Sequence, residues 1–209
     1  MVLAIVPWLP GIQLDEQAWY SVTPEVIAAH QARRCACGVA VDGFAGAGGN
    51  ANALGGTCQH VIGIDSCADR VEMAKRNAVV YNREGAVDFI CSDFFRLGPH
   101  LRHADVVFLS APWGGPAYSK LQEFSVASDI GRTGSGLAEL VGCAGSIVKR
   151  GRNGDGDDML QQQRPQCQPP LAPAVACFLP RNTRFCGGVR KLRGPSAAGS
   201  SRWRWSATW

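Results

Sequence analysis

The stretch Ser110-Ala111-Pro112-Trp113-Gly114-Gly115-Pro116 follows the apolar run Asp105-Val106-Val107-Phe108-Leu109 and carries the most specific chemistry in the chain. A buried strand that stops at a small polar residue, a proline and an aromatic ring sets rigid carbonyl acceptors beside a flat stacking surface at one carboxyl-terminal strand edge. That arrangement suits methylation of an amino group on a flat base. The acceptors orient the amine lone pair, the ring holds the base, and an activated methyl group is attacked in line, so that positioning carries much of the catalysis. The same residues also suit a tight turn after a core strand, with the tryptophan filling a gap.

A second cluster lies upstream. Gly38-Val39-Ala40-Val41-Asp42 reads as a short buried strand, and Gly43-Phe44-Ala45-Gly46-Ala47-Gly48-Gly49-Asn50 as a glycine-rich turn opening a helix. Glycines there let the backbone approach a ligand and take dihedrals closed to other residues. Asp65 ends the next apolar run, Val61-Ile62-Gly63-Ile64, at the distance where a Rossmann-type fold puts the carboxylate for ribose hydroxyls. Asp42 precedes the loop, Asn50 closes it, and no phosphate-cradling G-x-G-x-x-G is present. A cofactor without a pyrophosphate, S-adenosylmethionine, is therefore favoured over a dinucleotide.

The elements that must position these residues alternate between helical and strand patterns, which predicts an α/β domain with a mostly parallel sheet. Pro24 suits a first helical turn with Thr23 as its N-cap, and residues 25–34 continue that helix. Residues 68–81 place Val71, Ala74, Ala78 and Tyr81 at helical spacing, with Glu72, Lys75 and Arg76 on the other face. Residues 87–91 form a third strand ending at Ser92-Asp93-Phe94, where a carboxylate and a ring meet the amine and face of an adenine. Asp93 equally suits the N-cap of the turn that follows, and the two roles are compatible. Residues 136–149 have helical character, residues 149–170 read as a flexible insertion, and residues 174–179 return to strand character.

These residues resemble the trimethylguanosine synthases, which dimethylate the exocyclic amine of a 7-methylguanosine RNA cap. Four blocks carry the resemblance: Leu14-Asp15-Glu16 with Trp19-Tyr20-Ser21-Val22-Thr23-Pro24-Glu25, residues 41–50, residues 105–116, and Phe178-Leu179-Pro180-Arg181-Asn182. It runs continuously over about residues 12–125. Trp113-Gly114-Gly115-Pro116 and the Trp19 block separate this family from other amino-methylating Rossmann enzymes, whose corresponding motif usually ends in Tyr or Phe. The family has two prolines after the serine, and Ala111 replaces the first. Its carbonyl still accepts a hydrogen bond but the backbone loses a fixed φ, which is expected to lower rate more than ligand binding.

The resemblance implies a Rossmann-like class I S-adenosylmethionine-dependent methyltransferase acting on the N2 amine of 7-methylguanosine-capped RNA of the small nuclear and small nucleolar class. It also implies a nuclear location. Ser110 and the carbonyls of Ala111 and Pro112 are expected to orient the amine, and Trp113 to stack on the cationic base. Ser21 and Arg181 are expected at the cap phosphates, and Thr23, Asp42, Gly46, Asn50, Asp65 and Asp93 on the cofactor side. Two other readings share these residues: an amino-methylating enzyme acting on ribosomal RNA or DNA, and a chain that binds cofactor or cap without chemistry.

Composition bounds the remainder. With 209 residues and 46% hydrophobic content, one substantial core is expected, with the methyltransferase domain over residues 12–182. Residues 1–10 are apolar but short and broken by Pro7 and Pro10, which supports neither a secretory signal nor a membrane span, and no membrane partner is expected. Nine scattered cysteines read as reduced thiols in a reducing, intracellular setting. His100 and His103 read as a solvated loop, and no metal site is expected.

Six of the 21 Lys and Arg residues fall after Asn182, where no acid occurs, so the first 182 residues carry 15 positive against 17 negative charges. A capped RNA is then expected to rely on a few arginines near its triphosphate, Arg181 foremost, and not on a broad basic face. Residues 183–209 show no pair of period-2 apolar runs. The family's closing C-terminal strands are therefore expected to be absent, and residues 183–209 to form a basic disordered tail whose Arg202-Trp203-Arg204-Trp205 repeat suits stacking on RNA. Residues 1–11 are too short to supply the helical extension that the family carries before the Trp19 block.

Overall fold

The computed structural model describes residues 10–111, 124–125, 136–148, 175–179 and 183–184. Its centre is a parallel sheet of β1 (Val39–Asp42), β2 (His60–Asp65), β3 (Val87–Cys91), β4 (Val106–Leu109) and β6 (Val175–Cys177), in the spatial order β3-β2-β1-β4-β6. Two-residue strands β5 (Phe124–Ser125) and β7 (Thr183–Arg184) pair separately, also in parallel. Parallel neighbours cannot be joined by hairpins, so the chain crosses back through helices. These are α3 (Gly49–Leu54) after β1, α4 (Ala68–Val80) after β2, α5 (Phe94–Leu97) with a 3-10 turn (Gly98–His100) after β3, and α6 (Gly136–Ile147) ahead of β6. Two helices, α1 (Glu16–Ser21) and α2 (Glu25–Arg34), precede the sheet.

The strands are apolar because both sheet faces are covered. Side chains alternate along each strand. Val41, Val107, Leu109 and Val175 enter a cluster with Phe94, Leu140, Ala144 and Ile147 of the α5 and α6 side. Their neighbours Ala40, Val106, Phe108 and Ala176 enter a second cluster with Ala32, Ala51 and Leu54 of α2 and α3. All four residues of β4 are buried, between β1 and β6, which fixes the strand end that Ser110 follows.

The helix at residues 25–34 and the strand at 87–91 have the expected bounds, and the helix expected from residue 68 closes at Val80 with Tyr81 as its C-cap. One cap differs. Pro24, not Thr23, occupies the N-cap position of α2, with no side-chain hydrogen bond, and Thr23 lies one residue too early to cap that helix. The Thr23 hydroxyl instead accepts from Asn50 Nδ2 at 3.1 Å. Thr183 and Arg184 form a strand, so the boundary expected after residue 182 falls at the start of an element. The expected insertion at 149–170 and the tail from residue 185 lie outside the described residues. Among the described residues no helix is long and apolar enough to cross a membrane, and no group of three or more His, Cys, Asp or Glu side chains is placed to hold a metal ion.

Candidate active site

The strand order reverses between β1 and β4, and open α/β sheets bind ligands in the crevice outside the carboxyl ends of strands at such a point. Asp42 ends β1, and Ser110 follows β4. The glycine loop between them is held from both sides, by Gly43 N donating to Phe108 O at 2.9 Å and Ala45 N donating to Ile64 O at 2.8 Å. Gly46 and Gly48 take φ of +53° and +88°, in the left-handed region that favours glycine. A Cβ on Gly46 would meet nothing within 4 Å, so this backbone faces open space. A Cβ on Gly48 would lie 3.0 Å from Asn52 Nδ2 and 3.1 Å from the Ala74 Cβ, so the loop seats against α4. Gly48→Ala is therefore expected to cost roughly 2–4 kcal/mol from backbone strain and overpacking together. Urea denaturation of variant and wild type measures this.

A cavity of about 500 Å³ opens above the loop, in the size range of small-molecule sites. Asp65 stands at its edge, where its Oδ2 accepts from Gly46 N and its Oδ1 from Cys67 N, each at 2.9 Å. Each oxygen retains a lone pair after one such bond, so the carboxylate can brace the loop and still receive hydroxyls. Asn50 lines the same cavity, and its buried Oδ1 has no hydrogen-bond partner among the described residues.

Asp42 sits differently from the place expected of a cofactor ligand. It is fully buried and absent from the cavity lining, and its Oδ1 accepts from Phe44 N at 3.2 Å, so it supports the loop from behind. The reason is position: the last residue of a central strand, buried beneath its own loop, has no route to the crevice. Burial, with a smaller contribution from the Asp65 charge, pushes its pKa from 3.8 up to about 7 against the pull of the Phe44 amide. The folded value lies above the unfolded one, so the stability that Asp42 contributes is complete below about pH 4 and is lost as pH rises to about 7. Relative to Asp42→Asn, the wild-type protein is expected to lose up to about 1.4 kcal/mol per pH unit across that window. Parallel denaturation series from pH 4 to 8 check the difference.

A strap comprising residues 13–23 forms another wall. Gln13 N donates to Asn77 Oδ1 at 2.7 Å, while Asn77 Nδ2 donates to Gln13 O and to Ala47 O, both at 2.8 Å. Asn77 thus ties the strap to the glycine loop. Asp15 caps α1 through Ala18 N at 2.6 Å and pairs with Arg70 Nε at 2.8 Å, and Arg70 also donates to Gln17. Although burial raises the Asp15 pKa, the Arg70 guanidinium and the Ala18 amide hold it below the usual carboxylate value. Thr23 and Asn50 fasten the other end, leaving Gln17, Ala18, Ser21, Val22 and Thr23 along the cavity. Ser21 is exposed there, with its hydroxyl donating to Gln17 O at 2.9 Å.

Sequence patterning missed Asn77 and Arg70. The available signal for Asn77 was a polar residue three positions after Ala74, inside the apolar stripe of α4.

Asp93 is the N-cap of α5, as expected, and it also stands at the cavity. Its Oδ1 accepts from Phe95 N at 2.8 Å and Arg96 N at 3.3 Å. Phe94, the ring expected at an adenine face, lines the cavity together with Phe95. It is 3% exposed and packs into the core, with its centroid 5.5 Å from that of Phe44. The cap at Asp93 turns the first helical side chain inward, so Phe94 is the deeper and Phe95 the half-buried of the two rings that line the cavity. Ser110 lines the cavity, and Ala111 is buried against the core. Pro112, Trp113 and Arg181 lie outside the described residues.

A parallel sheet reversing at β1 and β4, a glycine loop seated on the following helix and a carboxylate ending β2 define a Rossmann-like α/β fold. A family profile described as RNA cap guanine-N2 methyltransferase matches residues 37–187, and the chain belongs to this family. It is 34% identical over 182 residues to a trimethylguanosine synthase of Schizosaccharomyces pombe, a match covering 83% of this chain and 64% of that protein. It is 25% identical over 199 residues to the trimethylguanosine synthase of Saccharomyces cerevisiae, covering 90% of this chain and 55% of that one. The chain thus spans about three fifths of the length of these relatives. The crystal structure of the Methanocaldococcus jannaschii tRNA m1G37 methyltransferase is 18% identical with a TM-score of 0.43, over 68% of this chain and 34% of that one.

Proposed function

We propose that the chain transfers a methyl group from S-adenosylmethionine to the exocyclic N2 amine of a 7-methylguanosine RNA cap, giving dimethyl and trimethylguanosine caps. The observation that carries this reading is the cavity at the sheet's switch point, in a chain whose family methylates cap guanine at N2. The residues present fit the cofactor. Gly46 leaves room for close approach, Asp65 offers acceptors to ribose hydroxyls, and the orphan Asn50 Oδ1 is available to an amino group. Asp93 would receive the adenine amine, and Thr23 would hold Asn50 in place. When bound, S-adenosylmethionine supplies a sulfonium-activated methyl group.

Ser110 and the carbonyls of Ala111 and Pro112 orient the N2 lone pair, while Trp113 stacks on the positively charged base. Ser21 and Arg181 meet the cap phosphates, where a guanidinium offers bidentate contacts. No strong general base is needed, because the amine nitrogen becomes acidic as it gains a substituent and its proton leaves to water. Small nuclear and small nucleolar RNAs are the proposed capped substrates and the nucleus the proposed location, on the strength of the relatives' naming as trimethylguanosine synthases.

Incubation with radiolabelled S-adenosylmethionine and RNAs carrying either a 7-methylguanosine or an unmethylated guanosine cap tests the reading. Label is expected only in the first RNA, released on nuclease digestion as an N2-methylated cap nucleoside. Transfer to the unmethylated cap alone, or to internal bases, would overturn it. In the same assay Ala111→Pro is expected to raise the rate only modestly, since it restores one fixed φ and no new contact.

A further inference from the structure

At the end of β1 opposite the cavity, three cysteines converge. Cys37 O accepts from Gln59 N at 3.2 Å and Gly38 O from His60 N at 3.0 Å, which continues the parallel register backwards from the Val39–His60 pair. That register sets Cys37 opposite Cys58. Their sulfurs lie 3.7 Å apart. Facing residues of neighbouring strands sit at a backbone separation within the range that disulfides span. Cys35 is buried nearby, and its carbonyl accepts from the Cys58 thiol at 3.4 Å.

We propose that Cys37 and Cys58 are a modification site, a dithiol that hydrogen peroxide oxidises to an intramolecular disulfide linking the segment before β1 to the approach to β2. Cys58 is the attacking sulfur. Hydrogen bonding between the two sulfurs draws the Cys58 thiol below its usual value despite burial, while the same contact and burial raise Cys37. Burial holds Cys35 at about 12, which leaves it a thiol. The Cys58 thiolate attacks one peroxide oxygen, the O–O bond breaks, and a sulfenic acid forms as hydroxide leaves and takes a proton to become water. Cys37 then gives up its proton and attacks the Cys58 sulfur, the S–O bond breaks, and the departing hydroxide takes that proton as a second water. Two thiols are oxidised and one peroxide is reduced.

The resulting loop encloses β1, the glycine turn and α3, so closure restricts the unfolded chain around the cofactor segment without entering the cavity. The proposal is independent of the methyl-transfer reading.

The test uses the full chain, reduced, freed of reductant, exposed to hydrogen peroxide at neutral pH, then denatured in N-ethylmaleimide for peptide mass spectrometry. Expected is a linked Cys37–Cys58 pair that has lost two hydrogens, escapes alkylation and is restored by dithiothreitol. The oxidised protein is expected to melt several degrees higher than the reduced one. Cys37→Ser is expected to stop at a sulfenic acid on Cys58 that dimedone traps, and Cys35→Ser to form the disulfide at the wild-type rate. Alkylation of both Cys37 and Cys58 after peroxide has oxidised the exposed Cys91 would overturn the proposal, as would a disulfide containing Cys35. The wild-type measurement decides the matter even where a variant fails to fold.

Discussion

Asp65→Ala is expected to weaken binding of S-adenosylmethionine by roughly 1.5–3 kcal/mol, about 10- to 150-fold. Two losses combine. A charge-assisted acceptor for the ribose hydroxyls disappears, and the amides of Gly46 and Cys67 lose the oxygens that hold the loop in its left-handed turn. Asp65→Asn separates them, because its single amide oxygen can keep one backbone partner while the charge is gone, and an intermediate affinity is expected. Calorimetric titration of the three proteins decides it. Equal affinities for wild type and Asp65→Ala would place the ribose elsewhere.

Trp113→Ala is expected to erase most of the preference for 7-methylguanosine triphosphate over guanosine triphosphate, a preference of about 2- to 30-fold if it comes from stacking of an aromatic ring on a cationic base. The cofactor affinity of the variant should stay at the wild-type level, which distinguishes a lost base contact from a damaged fold. Calorimetric titration with both nucleotides measures the ratio. A wild-type protein without any preference would argue for an amino-methyltransferase acting on another nucleic acid.

The two variants probe residues that became legible in different ways. Asp65 could be read from the chain because the distance from a glycine turn to the next strand end is set by one helix and one strand, both visible as local periodicity. Trp113 was legible through motif chemistry alone. Asn77 was not, since its partners Gln13 and Ala47 are 64 and 30 residues away, and no periodicity reports a hydrogen bond across that separation. The depth of Phe94 was hidden for a related reason: Asp93 and its neighbours were read as a strand end, but how far that ring turns into the core beside the cavity is decided by the helix cap and by Phe44.

The sequence by itself determined the alternation of strands and helices, the apolar character of the strands, the glycine turn and the carboxylates at three strand ends. Each depends on residues close together in the chain, where side-chain period and backbone freedom act directly. Only the tertiary structure decided that Asp42 lies beneath the loop while Asp65 stands at the cavity, and that Thr23 serves Asn50 instead of a helix end. It alone set Cys37 against Cys58. These outcomes follow from how parallel strands are ordered and registered, and that pairing joins segments whose separation along the chain carries no local signal.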